Sequence, residues 1–208
     1  MQKIIGRTAE RAELQDIYES GRPELVVVYG RRRVGKTFLI REHFQGQFAF
    51  YHTGLSQQEI DATNQKEGQL QNFASSLRHY GKAEQKTPTD WLTAFDDLRS
   101  LLEIKMQASP NQRQVVFIDE LPWMDTPRSG FLSALEHFWN GWGAGQTSLM
   151  LIVCGSATAW ISDHLLHNKG GLYDRKTREI KLHPFTLHEA ELYYQEQGIE
   201  LDRYAQMQ

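Results

Sequence analysis

Only one cysteine, Cys154, occurs in the 208 residues, and no basic segment leading into an apolar run opens the chain. No disulfide can close within it, and both features point to a reducing, cytoplasmic setting. The longest uninterrupted apolar run, "LMLIVC" at 149–154, falls far short of the roughly 20 residues that cross a bilayer as a helix. Neither charge sign dominates: 23 Lys and Arg face 26 Asp and Glu, for a formal net charge of -3. A partner such as nucleic acid or anionic lipid would need a local patch, because the chain as a whole exerts no pull on it. The eight histidines show no ligand spacing within a shared element, which argues against a zinc site. Internal repeats and low-complexity tracts are absent too.

What is present is enough for one medium domain, since 40% hydrophobic and 11% aromatic residues can supply a sizeable core. Three short runs rich in β-branched residues, "LVVVY" (25–29), "VVFID" (115–119) and "LMLIVC" (149–154), are bounded by turn residues. They read as strands buried on both faces, the pattern of a parallel sheet covered by helices. "FAFYH" (48–52) and "EIKL" (179–182) are weaker strand signals and bring the number to five. Helical patterns fall at 7–20, 36–44, about 66–80, 89–107, 129–140, 157–166 and 187–197. The last opens on a capping box, Thr186 with Glu189 three residues on. The fold class is therefore α/β, with a mainly parallel five-stranded sheet and helices on both faces. "NGWGAGQ" (140–146) and the polar stretch 53–69 read as mobile surface segments.

"VYGRRRVGKT" sets three arginines between two glycines, directly after a buried strand and before a helix. Gly30, Gly35, Lys36 and Thr37 fill every fixed position of G-x-x-x-x-G-K-[ST], the phosphate loop of P-loop NTPases. Gly30 and Gly35 permit torsions and close approach that a Cβ would block, so successive N–H groups can converge on phosphate oxygens. The N-terminus of the following helix adds its positive end. Lys36 can reach the β- and γ-phosphates, and Thr37 can offer its hydroxyl to Mg²⁺. The repulsion among Arg31, Arg32 and Arg33 is relieved if a polyanion sits inside the loop; the alternative is that these side chains face solvent while the backbone binds. Val34 and Phe38 complete the loop and the start of its helix.

"VVFIDELPW" places Asp119 and Glu120 at the carboxyl end of a buried strand, the edge where open α/β sheets bind ligands. Asp119 suits the outer shell of Mg²⁺, and Glu120 suits a general base for the attacking water. The GTPase motif N-K-x-D is missing, since "NKGG" carries Gly171 in the aspartate position. Cys154 reads as a small core residue. Trp123 is either a core plug or a surface anchor, with the core favoured. Trp139, Trp142 and Trp160 are too dispersed to form a stacking platform for nucleic acid.

Taken together, "IIGRTAERAEL", "GRRRVGKT", "FIDELPWM", "LIVCGSATAWI" and "NKGGLYDRKTREIKLHPFTLHEAELYY" resemble the prokaryotic family of archaeal-type ATPases, relatives of AAA+ and STAND NTPases. The resemblance runs over nearly the whole chain, with 53–110 least characteristic. It implies that Ile5, Gly6 and Arg7 lie near the adenine. Ser156, as a polar residue after the next strand, would sense the γ-phosphate, although it can equally cap the helix that follows. Arg175 and Arg178 fall in the arginine-finger region, where solvated surface charge is the alternative. It further implies ATP and Mg²⁺ as ligands, and an ATPase module whose nucleotide state drives change in a partner or appended domain. A nucleotide-holding switch with negligible turnover and a DNA-associated motor are the competing readings, and assembly into an oligomer is compatible with each. Relatives continue into a helical lid and an effector domain. Residues 1–208 are accordingly expected to be one ATPase domain without them, slow in hydrolysis and weakly anchored after about Ile199.

Overall fold

The computed structural model describes residues 3–56, 58–60, 64–82, 86–156, 158–166, 172 and 175–199. In chain order the elements are α1 (Thr8–Glu19), β1 (Glu24–Gly30), α2 (Lys36–His43), β2 (Phe50–Thr53), α3 (Gln65–His79), α4 (Trp91–Ala108), β3 (Gln114–Asp119), α5 (Leu121–Met124), α6 (Phe131–Gly141), β4 (Leu149–Gly155), α7 (Thr158–Ile161), β5 (Arg178–Leu182) and α8 (Leu187–Glu196). The five strands form one sheet in the order β2-β3-β4-β1-β5, and every neighbouring pair is parallel.

The alternation of side chains along each strand builds two cores. Leu25 and Val27 of β1, Val116 and Ile118 of β3, and Leu151 and Val153 of β4 face α3, α4 and α6. Val26 and Val28, Val115 and Phe117, and Met150 and Ile152 point the other way, onto Leu14 and Ile17 of α1 and Leu39 and Ile40 of α2. A sheet clad on both faces needs apolar residues at consecutive positions, and β3 and β4 are buried at every residue.

Some boundaries differ from the sequence pattern, each for a local reason. The helix expected from 129 begins at Phe131 because Arg128 and Gly130 take positive φ, 62° and 73°. The helix expected from 89 begins at Trp91, where the Asp90 carboxylate accepts the Thr93 N–H at 2.8 Å as an N-cap. The helix expected over 157–166 is α7 followed by a π-turn at Ser162–Leu166. The segment expected to be mobile at 140–146 is instead a packed 3₁₀ turn, Gly143–Gly145. Gly143 is buried, and a Cβ there would stand 2.8 Å from Trp139 Cε3. Part of 53–69 is also pinned: the Gln69 side chain is 1% exposed and hydrogen-bonds the Leu55 N–H, the Leu55 carbonyl and the Trp123 carbonyl. The segment after Ile199 lies outside the described residues.

Candidate nucleotide-binding site

The carboxyl ends of β1, β3 and β4 meet at one edge of the sheet, and the loop leaving β1 crosses it. Gly30 sits at φ 149° and Gly35 at φ 91°. A Cβ on Gly30 would lie 2.2 Å from the Leu182 carbonyl oxygen of β5, whereas nothing stands within 4 Å of the Cβ position of Gly35. Gly30 is thus required for strand packing, and Gly35 opens a surface a ligand can approach. Arg33 also holds a positive φ, 68°, which is costly for a residue with a Cβ and marks the loop as shaped by its surroundings.

Lys36 is 6% exposed. Its ammonium donates to the Gly30 and Arg31 carbonyls at 3.1 and 3.0 Å, which fixes the loop's curvature and leaves one of three donors for a phosphate oxygen. Thr37, in the first turn of α2, donates its hydroxyl to Asp119 Oδ2 at 2.6 Å. Asp119 is 2% exposed, and its other oxygen accepts the Glu120 N–H at 2.9 Å. Glu120 takes a left-handed backbone, φ 50° and ψ 49°, which lets the chain turn at once into α5. Its carboxylate is held by Ser156 at the end of β4, whose hydroxyl donates to Oε2 at 3.0 Å and whose N–H lies 3.4 Å away. Thr37, Asp119, Glu120 and Ser156 therefore form one connected polar chain beside the loop. The Cys154 thiol, buried and facing the Asp119 carboxylate, is pushed well above its usual pKa, which suits a core residue and not a nucleophile.

On the other side of the loop a cavity of about 580 Å³ opens, with Ile5, Arg7, Val34, Phe38, Phe185 and Tyr193 among its lining residues. Its apolar walls and its position against Gly35 suit a base attached to phosphates in the loop. A larger, shallow depression of about 800 Å³ lies between the end of α1 and residues 109–113 and 147–148. The Arg113 guanidinium there is committed to the Thr147 and Ile17 carbonyls, and the loop is nowhere near.

The three arginines separate. Arg31 borders a separate depression with Lys181 and His183. Arg32 lies 5.8 Å from the centroid of the Trp123 ring, and Arg33 lines the base cavity. Trp123 is half-buried and serves as a seat for Arg32, which corrects its assignment to the core. Arg175 and Arg178 are not brought to the loop. Arg178 pairs with Val26, four residues before Gly30, so it sits roughly 13 Å back along the sheet at about 3.3 Å per residue. Its side chain bonds the neighbouring Thr177 carbonyl at 2.8 Å. The residues that sequence reasoning missed are Phe185 and Tyr193 as cavity walls and Glu189 as more than a helix cap. Pro184 after β5 and the capping box marked the segment, but its docking on the amino-terminal segment joins positions 182 residues apart.

A phosphate-loop motif and an acidic strand end at the carboxyl edge of a five-stranded parallel sheet define a P-loop NTPase. Residues 5–203 match the family described as ATPase domains predominantly from Archaea, and the chain belongs to that family. It is 25% identical over 189 residues, 87% of its length, to an uncharacterised protein of Methanocaldococcus jannaschii, of which the match covers 36%. Among solved structures, a Walker-type ATPase of Pyrococcus abyssi superposes with a TM-score of 0.63 at 17% identity, covering 96% of this chain and 60% of that one. The ORC2 protein of Aeropyrum pernix, solved as ADPNP-ADP complexes, gives 0.67 at 15% identity over 95% and 53% of the two chains. A STAND protein of Pyrococcus horikoshii gives 0.55 at 15%, covering 28% of that longer chain. The chain thus spans about a third of its curated relative and 60% or less of these structures.

Proposed function

We propose that the chain is an Mg²⁺-dependent module that binds and hydrolyses ATP and passes its nucleotide state to a partner or an appended domain. The observation that carries this reading is the 2.6 Å contact between Thr37 Oγ1 and Asp119 Oδ2. It joins the residue after the phosphate-loop lysine to the buried carboxylate at the end of β3. A hydroxyl and one carboxylate are the sparse protein donor set that Mg²⁺ accepts, because this ion keeps waters and takes phosphate oxygens for the rest. In keeping with that, no group of three or more His, Cys, Asp or Glu able to hold a metal by itself occurs among the described residues. Bound there, the ion would draw negative charge from the β- and γ-phosphates.

The chain's own residues supply the remainder. Lys36 and the N–H groups of the loop bind the phosphates. Glu120 is placed to accept a proton from water attacking the terminal phosphate, and Ser156 holds the carboxylate in position. The Ser156 contact also favours a slow basal rate, since its hydroxyl and N–H both engage Glu120 Oε2 and leave only the other carboxylate oxygen open to a water. A switch that holds nucleotide and turns over seldom is the second reading, and it rests on that contact. Arg175 and Arg178, distant from the loop within the chain, would act as fingers only on the site of a neighbouring copy.

Phosphate release by the purified protein, measured as Mg²⁺ is titrated in, tests the proposal. Turnover should require Mg²⁺, and Asp119→Asn should raise the Mg²⁺ concentration needed for half-maximal rate. Equal rates with and without excess chelator would overturn the metal assignment.

A further inference from the structure

The base cavity, the phosphate loop and α8 meet at a single side chain. Arg7 is 6% exposed and follows Gly6, with both residues at positive φ, 55° and 64°. Its guanidinium approaches Glu10 Oε1 at 3.3 Å, donates to the Val34 carbonyl at 3.2 Å and to the His183 carbonyl at 2.7 Å, and lies 4.7 Å from the centroid of the Phe185 ring. Its backbone N–H donates to Glu189 Oε1 at 3.1 Å. The other oxygen of Glu189 accepts from the Thr186 N–H and hydroxyl, closing the first turn of α8. A Cβ on Gly6 would stand 2.7 Å from Glu189 Oε1, so the tight seat depends on glycine. At its far end α8 is tied to the same amino-terminal segment by the Lys3–Glu196 ion pair.

One of these bonds bears on the phosphate site. The carbonyl of Val34 and the N–H of Gly35 share a trans peptide plane and point in opposite directions. Holding the carbonyl toward Arg7 turns the Gly35 N–H away from Arg7. The positive φ at Arg33 carries a strain that this contact helps to sustain, beside the Lys36 bonds to the Gly30 and Arg31 carbonyls.

We propose that Arg7 is a positioning residue that couples the phosphate loop to α8: with α8 seated on the Arg7 N–H, the guanidinium fixes the Val34–Gly35 peptide in its phosphate-binding orientation. This deepens the nucleotide reading above and rests on it. Linkage makes the coupling reciprocal. Phosphates that engage Gly35 favour the Arg7–Val34 contact and so seat α8, and an unseated α8 weakens nucleotide binding. The base contributes through Phe185, which lines the cavity and carries the guanidinium on its face. Arg7 thus acts through the loop and needs no contact with the nucleotide.

Amide hydrogen exchange of α8, measured on the intact chain with Mg²⁺ and with or without saturating ADP, tests this alongside calorimetry of ADP binding. In the wild type, exchange over Leu187–Glu196 should slow at least fivefold with ADP. Arg7→Gln should bind ADP about tenfold more weakly and, at saturation, lose that slowing. Arg7→Lys keeps the charge, but its shorter side chain lacks the planar group that lies on Phe185 and the second nitrogen that meets Glu10, so it should retain an intermediate slowing, and it serves as the test if the glutamine variant does not fold. Wild-type protein that binds ADP without slowing α8 overturns the coupling, as does a folded Arg7 variant that slows α8 as much as wild type. Wild-type protein that binds no nucleotide overturns the reading beneath it, and calorimetry identifies that case independently.

Discussion

At the scale of single residues, the site divides into groups whose roles follow from contacts within a few residues and groups defined by distant ones. Lys36 is of the first kind, since the motif spacing already predicts where its ammonium goes. Lys36→Ala removes a charge-assisted bond worth about 1.5 to 3 kcal/mol, so ATP affinity in calorimetry should fall roughly ten- to hundredfold. Unchanged affinity would mean that the loop does not grip phosphate. His52 is of the second kind. It is 1% exposed, packed edge-on to Phe73, with Nδ1 paired to the Ser76 hydroxyl at 2.9 Å and Nε2 without a partner. Burial lowers its pKa from the usual 6.5 to about 3, so the folded protein keeps it neutral where the unfolded chain would protonate it. The unfolded state then binds more protons below pH 6.5, and stability falls with pH by about 1.4 kcal/mol per unit from there towards pH 3. Denaturant midpoints should fall from pH 7 to 5, where most carboxylates stay charged, gently at first and approaching this slope near pH 5 as the unfolded imidazole fills with protons; His43, whose pKa burial also lowers, adds in the same direction, and His52→Gln should flatten the fall. An equal slope in the variant would assign the acid sensitivity elsewhere.

At the scale of elements, the strands were legible because a doubly covered sheet writes itself as consecutive β-branched residues, and "LVVVY", "VVFID" and "LMLIVC" became β1, β3 and β4 with little change. Local chemistry also placed Asp119 and Glu120 at a strand end. What the sequence could not show was contact between elements far apart along it. Trp123 was misjudged because the ring that looked like core packing carries Arg32 from the loop after β1, and Glu189 looked complete as a cap before its second oxygen met Arg7. The two loop glycines differ for the same reason. Gly30→Ala would drive a Cβ against the Leu182 carbonyl of β5, at a cost of about 3 kcal/mol or more. The melting temperature should drop by roughly 6 to 12 °C for a domain of this size. Gly35→Ala meets open space and strains only its own φ, so it should melt closer to wild type while binding nucleotide far more weakly. Equal melting losses in the two variants would contradict this division of roles.

At the scale of the whole molecule, the fold gathers the phosphate loop, the acidic strand end and the cavity lined by Phe38 and Phe185 at one edge of the sheet, and leaves Arg175 and Arg178 away from it. If either completes the site of a second copy, turnover per molecule should rise with protein concentration, and alanine at that position should cancel the rise. A specific rate independent of concentration would leave both arginines without a part in hydrolysis. No helix among the described residues is long and apolar enough to cross a membrane. The central claim is that Glu120 activates water for attack on ATP held by the loop and the Thr37–Asp119 pair. The most direct measurement is single-turnover hydrolysis of Mg²⁺-ATP by Glu120→Gln beside its ATP affinity. The account predicts affinity within a few-fold of wild type and a chemical step slower on the order of 10²- to 10⁴-fold; an unchanged rate at unchanged affinity would contradict it.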